Sequence, residues 1–328
     1  MLLKYLLIII AAAILTAFVG CSNPNGTDTS GAWLVPKDEV VDGGPGKDGI
    51  PALENPPFID AASATFWSDN ELVVGLAIGG DAKALPHQIL DWHEIAKIEV
   101  GGKKIALTYC PLTGSAIAWS RVIDGSITTF GVSGLLYNSN LIPYDRKTDS
   151  NWSQMREQCV NGKLMGRFPE TYQVLETKWK TWKELYPQTK VLSRATGVYS
   201  PDRYDIYPYE NPSNGDYRTN NNWLLFPVTH TDNRLPAKQR VFGVIVDGQS
   251  RVYPVSSMSS VIKAINDTLN NTPIVIVGSS SKNFAVGFQS TVQDTVTLTF
   301  SAIQNELPVI LVDNEGTKWD AFGNGVSG

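Results

Sequence analysis

The chain has 328 residues, with 27 Lys+Arg against 32 Asp+Glu and a formal net charge of −5. That balance excludes the basic surface that nucleic-acid binding requires. A composition 42% hydrophobic and 10% aromatic supplies ample core and excludes disorder over most of the length. Three Cys and three His exclude a disulfide framework and leave room for very little thiol or imidazole chemistry.

Residues 1–20 carry one charge, Lys4, ahead of an apolar run from Tyr5 to Val19. The run is short for a membrane span and has the shape of a signal-peptide core. It ends at Gly20-Cys21 before a polar stretch, an arrangement that resembles a bacterial lipoprotein signal, although Phe18 is a less usual residue three places before the Cys. Cys21 is therefore the expected lipidation site, and the expected location is the cell envelope, on the outer face of a bacterial membrane. Residues 21–50, with GGPGKDG at 43–49, read as a flexible tether.

From residue 51 the chain aligns with itself. VVGLAIGGDAKALP at 73–86 matches VFGVIVDGQSRVYP at 241–254 without a gap, at an offset of 168. Each copy is an apolar run, a tight turn (Gly79-Gly80, Asp247-Gly248) and a second run, which predicts a β-hairpin. KKIALTYC at 103–110 and TPIVIVGS at 272–279 predict strands, and Asp124-Gly125 predicts a second hairpin whose counterpart lies in 283–300. SNWSQMREQCVNG at 150–162 matches TKWDAFGNGVSG at 317–328. The expected fold is mainly β (α+β): two diverged β-rich repeats, 51–168 and 225–328, joined by a connector at 169–224, with short packing helices. One helix is expected in HQILDWHEIAKI at 87–98, where Ile89, Trp92, Ile95 and Ala96 fall at helical spacing. A second is expected at 176–186, with Trp179, Trp182 and Leu185 along one face and Pro187 as the stop. The connector then becomes a long loop with Tyr199, Tyr204, Tyr207, Tyr209 and Tyr217, a length that favours a functional or interface role.

Differences between the copies point to a site. At the offset of 168, His87, His93, Glu94 and Cys110 face Val255, Val261, Ile262 and Gly278. The first copy alone thus carries a polar cluster. It admits three readings: a Cu or Zn site with His87, His93, Cys110 and Glu94 as ligands; a thiol enzyme with Cys110 as nucleophile and His93 as base; or a structural cluster, the protein then being a surface module that binds a glycan or protein through its tyrosines. Cys159 is a candidate disulfide partner for Cys110, closing a loop of about 50 residues and adding about 3–4 kcal/mol. Ser133, Tyr137, Asn140, Asp145, Arg146, Ser150, Trp152 and Gln154 are candidates for lining a cleft, and His230 for a third imidazole ligand. No phosphate loop, Ser-nucleophile elbow or paired-His metalloprotease motif is present in the sequence.

PALENPPF at 51–58, LDWHEI at 90–95, TYCPLTGSA at 108–116, FGVSGLLYNSNLIPYDR at 130–146 and SNWSQ at 150–154 resemble a large prokaryotic family, domain of unknown function 3179. The resemblance covers nearly the whole mature chain and implies a secreted protein or lipoprotein. In the family the strand-end motif often reads C-P-L-C-G. Thr113 stands at the second Cys here, so a dithiol role is not implied for this chain.

Overall fold

The computed structural model describes residues 31–292 and 296–327. The signal segment, Cys21 and the first part of the expected tether lie outside the described residues. In chain order the main elements are β1 (Val40–Asp42), β2 (Leu72–Ile78), β3 (Asp81–Pro86), α1 (His87–His93), β4 (Ile95–Val100), β5 (Lys103–Cys110), β6 (Ser115–Ser120), β7 (Phe130–Tyr137), β8 (Asn140–Asp145), β9 (Asn151–Ser153) and β10 (Gln158–Asn161). The connector supplies β11 (Leu175–Lys178), α2 (Trp179–Leu185) and β12 (Lys190–Leu192). The C-terminal half contains β13 (Val241–Val246), β14 (Gln249–Pro254), β15 (Lys263–Leu269), β16 (Thr272–Ser279), β17 (Phe284–Gln289), β18 (Phe300–Ala302), β19 (Val309–Asp313), β20 (Lys318–Asp320) and β21 (Gly325–Ser327). The protein is mainly β, as its alternating apolar runs imply.

Turn chemistry sets the local structure. Asp124 and Gly125 both adopt positive φ (48° and 73°), as do Asp247 and Gly248 (47° and 78°). This two-residue left-handed turn matches the twist of the strands it joins. In the N-terminal half a five-stranded sheet runs β11-β2-β3-β12 and ends on residues 58–60. A second runs from residues 171–172 through β6-β5-β4 to residues 53–54, and a third runs β1-β7-β8-β9-β10. In the C-terminal half β13-β14 form a two-stranded sheet, β15-β16-β17 a three-stranded one and β18-β19-β20-β21 a four-stranded one. One large core crosses from half to half, taking in Trp179, Trp182 and Leu185 of α2 together with Leu311, Trp319 and Phe322, and the Trp182 ring meets that of Phe322 edge to face. A smaller core gathers Trp119, Phe130, Trp152, Cys110 and Cys159.

Three expectations are corrected. Residues 31–50 are not a loose tether, because β1 pairs antiparallel with β7 and the Trp33 backbone bridges Asn161. The Asp48 carboxylate binds the Tyr144 hydroxyl and lies 2.6 Å from Arg146 Nη2. The helix expected over 87–98 ends at His93: Glu94 turns to φ 55° and Ile95 begins β4, so Ile95 and Ala96 belong to a strand. The helix expected over 176–186 begins at Trp179, residues 175–178 being β11.

Candidate functional site

Pro86 precedes α1 in extended conformation, and its fixed φ suits the residue ahead of a first helical turn. The seven-residue helix buries His87, Ile89, Leu90, Asp91 and His93. It therefore has almost no solvent face, and its polar side chains must find partners inside the protein. Those partners come from β5 below and from the connector above. Trp92 Nε1 donates to the Ile206 carbonyl (2.9 Å), and the Arg203 guanidinium lies 3.9 Å from the centre of the Trp92 ring. At the other end of the connector, Ser139 Oγ donates to the Phe226 carbonyl.

The two helix imidazoles serve different neighbours. His93 is fully buried, with Nδ1 2.7 Å from the Pro51 carbonyl and Nε2 2.8 Å from the Tyr204 hydroxyl, which also contacts Thr196 Oγ1 at 2.6 Å. Burial pushes its pKa down, against the pull of the Pro51 carbonyl. His87 Nδ1 lies 3.2 Å from the Tyr109 hydroxyl, and Nε2 faces Glu176 Oε2 at 3.4 Å without hydrogen-bond geometry. Burial alone would raise the Glu176 pKa, but His87 and Arg240 hold it below the ordinary carboxylate range.

The two acids of this region are in the opposite condition. Burial pushes Asp91 up to about 7, against opposing pulls from Arg218 and the Tyr109 hydroxyl. Burial alone pushes Glu94 up to about 8. Among the described residues no cationic group lies within ion-pair distance of either carboxyl. Tyr207, Tyr209 and Tyr217 pack edge to face or tilted in a row, with ring centres 5.8 and 6.3 Å apart. Burial raises the pKa of the Tyr207 and Tyr209 phenols, and the nearby Asp91 charge, with Glu94 and Cys110 for Tyr209, raises it further. Asp91 Oδ1, His87 Nε2, Gln88 Oε1, Tyr207 OH and Tyr217 OH are buried with no hydrogen-bond partner. Arg218 marks the rim of the cluster, with Nη2 2.7 Å from Asp216 and its guanidinium 3.7 Å from the Tyr207 ring centre.

This arrangement lends the metal reading no support. Among the described residues no group of three or more His, Cys, Asp and Glu side chains is gathered as a metal site. His93 already has both ring nitrogens engaged, and Cys110 turns its thiol toward the Ser139 carbonyl (3.6 Å). The Cys110–Cys159 bridge is overturned, because both thiols are free and buried. Burial, and then the Glu94 charge, raise the Cys110 pKa, so at neutral pH it is a thiol rather than a thiolate, the wrong state for a nucleophile. Burial pushes Cys159 up to about 12. We therefore expect neither thiol to react with iodoacetamide in the native protein at pH 7.5 within an hour, and both to react in guanidinium chloride. Mass spectrometry of the two cysteine peptides reads the result.

The remaining candidates make contacts within the fold. Thr113, Ser115, Asn140 and Gln154 form one network beside Cys110, with Gln154 Nε2 donating to Thr108 Oγ1 (3.0 Å) and Asn140 Nδ2 to Gln154 Oε1 (2.7 Å). Asp145 accepts from the Thr148 backbone, from Thr148 Oγ1 and from Trp152 Nε1, while Thr148 Oγ1 pairs with Ser150 Oγ. Ser133 Oγ binds the Ile142 carbonyl across a bulge, Tyr137 pairs with Val40, and Arg146 pairs with Asp48 and Glu54. Arg146 borders a shallow open depression with Ile127, Thr128, Thr129 and Lys147. His230 is exposed in a loop. Sequence reasoning missed Asp91, Glu176 and Arg218. Asp91 carries a readable signal, being an acid within the apolar helix pattern Ile89, Leu90, Trp92.

A family model described as "Protein of unknown function (DUF3179)" matches residues 47–328. The chain belongs to this family. The matched span takes in both halves of the DUF3179 protein and the connector that covers α1. No curated protein and no solved structure matches the chain.

Proposed function

We infer that this DUF3179 protein is a lipid-anchored binding protein of the bacterial cell envelope, and that the interior between α1, β5 and the connector takes a small organic cation bearing an ammonium or guanidinium group. The sequence at 1–27 supports the anchoring at Cys21. One observation supports the ligand class: two buried carboxyls, Asp91 and Glu94, lie beside Tyr109, Tyr207 and Tyr209 with no cation paired to either among the described residues. A buried carboxyl without a counter-ion stays protonated. A cation restores its charge, and aromatic faces add attraction of about 0.5–2 kcal/mol per ring. The Arg218 guanidinium, stacked on the outer side of this cluster, belongs to the same chemical class.

Calorimetric titration of the full mature protein with agmatine, putrescine and choline tests the reading. Binding of at least one probe is expected, tightening tenfold or more between pH 6 and pH 8 as Asp91 and Glu94 ionise. Asp91→Asn with Glu94→Gln is expected to remove it while circular dichroism stays unchanged. Binding of neutral or anionic analogues in place of all three cations overturns the proposal.

A further inference from the structure

The two β-hairpins that lead the halves are built alike and covered differently. In β2-β3, Val73, Gly75 and Ala77 face one way, opposite Pro86, Ala84 and Ala82. That face is closed by the connector. β11 adds to the edge of β2 with Leu175 opposite Gly75, and α2 follows at once and lays its indole on the sheet. A Cβ on Gly75 would lie 2.2 Å from the Trp182 ring, so the glycine makes the seat for the tryptophan. β12 closes the other edge, parallel to β3.

In β13-β14 the same register recurs, with Val241, Gly243 and Ile245 opposite Pro254, Val252 and Ser250. The opposite face is conventional: Val244, Val246 and Tyr253 enter the core with Leu269, Ile274 and Ile276. The outer face is bare. Val241 is 37% exposed, Ile245 57% and Val252 48%, and nothing lies within 4 Å of a Cβ on Gly243. Among the described residues the two strands pair only with each other, so both edges are open. The face has no charged side chain, and apart from Pro254 at one end it has none of the lysines or prolines that usually guard an exposed edge. An exposed apolar face with both edges unpaired marks an interaction surface.

We propose that the outer face of β13-β14 is a docking surface for another protein, which adds an antiparallel strand along β13 and seats a tryptophan over Gly243, as β11 and α2 do over Gly75 within this chain. The occupant is identified by that chemistry: an extended segment running directly into a short amphipathic helix with an indole on its apolar side. Strand addition supplies backbone hydrogen bonds and the aromatic anchor supplies specificity. The surface is independent of the acid–tyrosine site, and neither proposal needs the other.

A synthetic peptide spanning residues 172–187, which carries the strand and helix that cover the first hairpin, serves as the probe. Labelled with a fluorophore and titrated with the full mature protein, it is expected to give saturable anisotropy. Affinity is expected to fall at least tenfold for Ile245→Asp and for Gly243→Leu, and likewise for the peptide with Trp182→Ala. Both protein variants change exposed positions, so an unchanged melting temperature serves as the folding control. Absence of saturable binding to a folded protein overturns the proposal, as does binding that neither protein variant weakens. A dimer of the protein alone in sedimentation that Ile245→Asp dissociates also overturns it, because the occupant is then a second copy.

Discussion

Replacing Glu94 with Gln and Asp91 with Asn is expected to stabilise the free protein at pH 8 and to change little at pH 4. Both carboxyls have pKa values raised by burial, to about 8 and about 7. Between the unfolded values near 4 and these folded values, the native state holds protons that the unfolded state releases. Stability is therefore full below about pH 4 and falls as pH rises toward 7 to 8. A tenfold change in an acidity constant corresponds to about 1.4 kcal/mol. Allowing for local relaxation, the two acids together cost about 2–4 kcal/mol at pH 8. Urea unfolding at pH 4, 6 and 8 should show the wild-type midpoint falling across this range more steeply than that of the double variant. Equal slopes in the two proteins would mean that the acids ionise without penalty in the folded state, and the argument for a missing counter-ion would go with them. A bound cation should flatten the wild-type slope in the same experiment.

Trp182→Ala is expected to cost about 3–5 kcal/mol, the range for removing a buried large aromatic side chain. The indole is wholly buried, donates from Nε1 to Thr189 Oγ1 at 2.8 Å, and packs against Tyr186 with ring centres 4.7 Å apart and Phe322 at 6.2 Å. Its removal leaves Gly75, which has no side chain of its own, facing the space the indole filled. Phe322 belongs to the C-terminal half, so the loss should lower the unfolding midpoints of both halves together. At about 2–4 °C per kcal/mol for a protein of this size, the melting temperature should drop by about 6–20 °C. Gly75→Ala should reproduce part of the loss from the other side of the same contact. A midpoint within 2 °C of wild type for Trp182→Ala would contradict the packing described.

Local chemistry made much of the fold legible. Asp124-Gly125 and Asp247-Gly248 could be read as hairpin turns because few residues tolerate positive φ, and those pairs do. The strands at 103–110 and 272–279 could be read from apolar runs of strand length. The ends of α1 were not legible. Ile95 and Ala96 continue the helical spacing of Ile89 and Trp92, and only the left-handed turn at Glu94, fixed by its backbone bonds to Leu90 and Tyr109, shows that the chain has changed period. The segment 31–50 was misread for a similar reason. Gly, Pro and Asp mark it as loop, while its pairing with β7 and the Asp48 contact to Arg146 join residues about a hundred apart in sequence.

The site was legible in part. Comparing the two halves of the sequence singled out His87, His93, Glu94 and Cys110, and all four are buried near one another around α1 and β5. Their chemistry was not legible, because it depends on what covers them. Tyr204 takes one nitrogen of His93, and the Tyr207–Tyr217 row closes over Asp91. These contacts cross more than a hundred residues of sequence, and nothing in the spacing of the His and Cys residues announces them.

With Cys21 as the proposed anchor, the pairing of the N-terminal segment also limits how far the protein can stand from a bilayer. The Trp33 backbone, twelve positions after Cys21, bridges Asn161. Twelve residues span at most about 40 Å. A tether running to residue 50 would have allowed more than twice that distance. On that anchoring the protein stays in a layer little deeper than one domain above the lipid headgroups, and anything that docks on it or enters it comes within that layer.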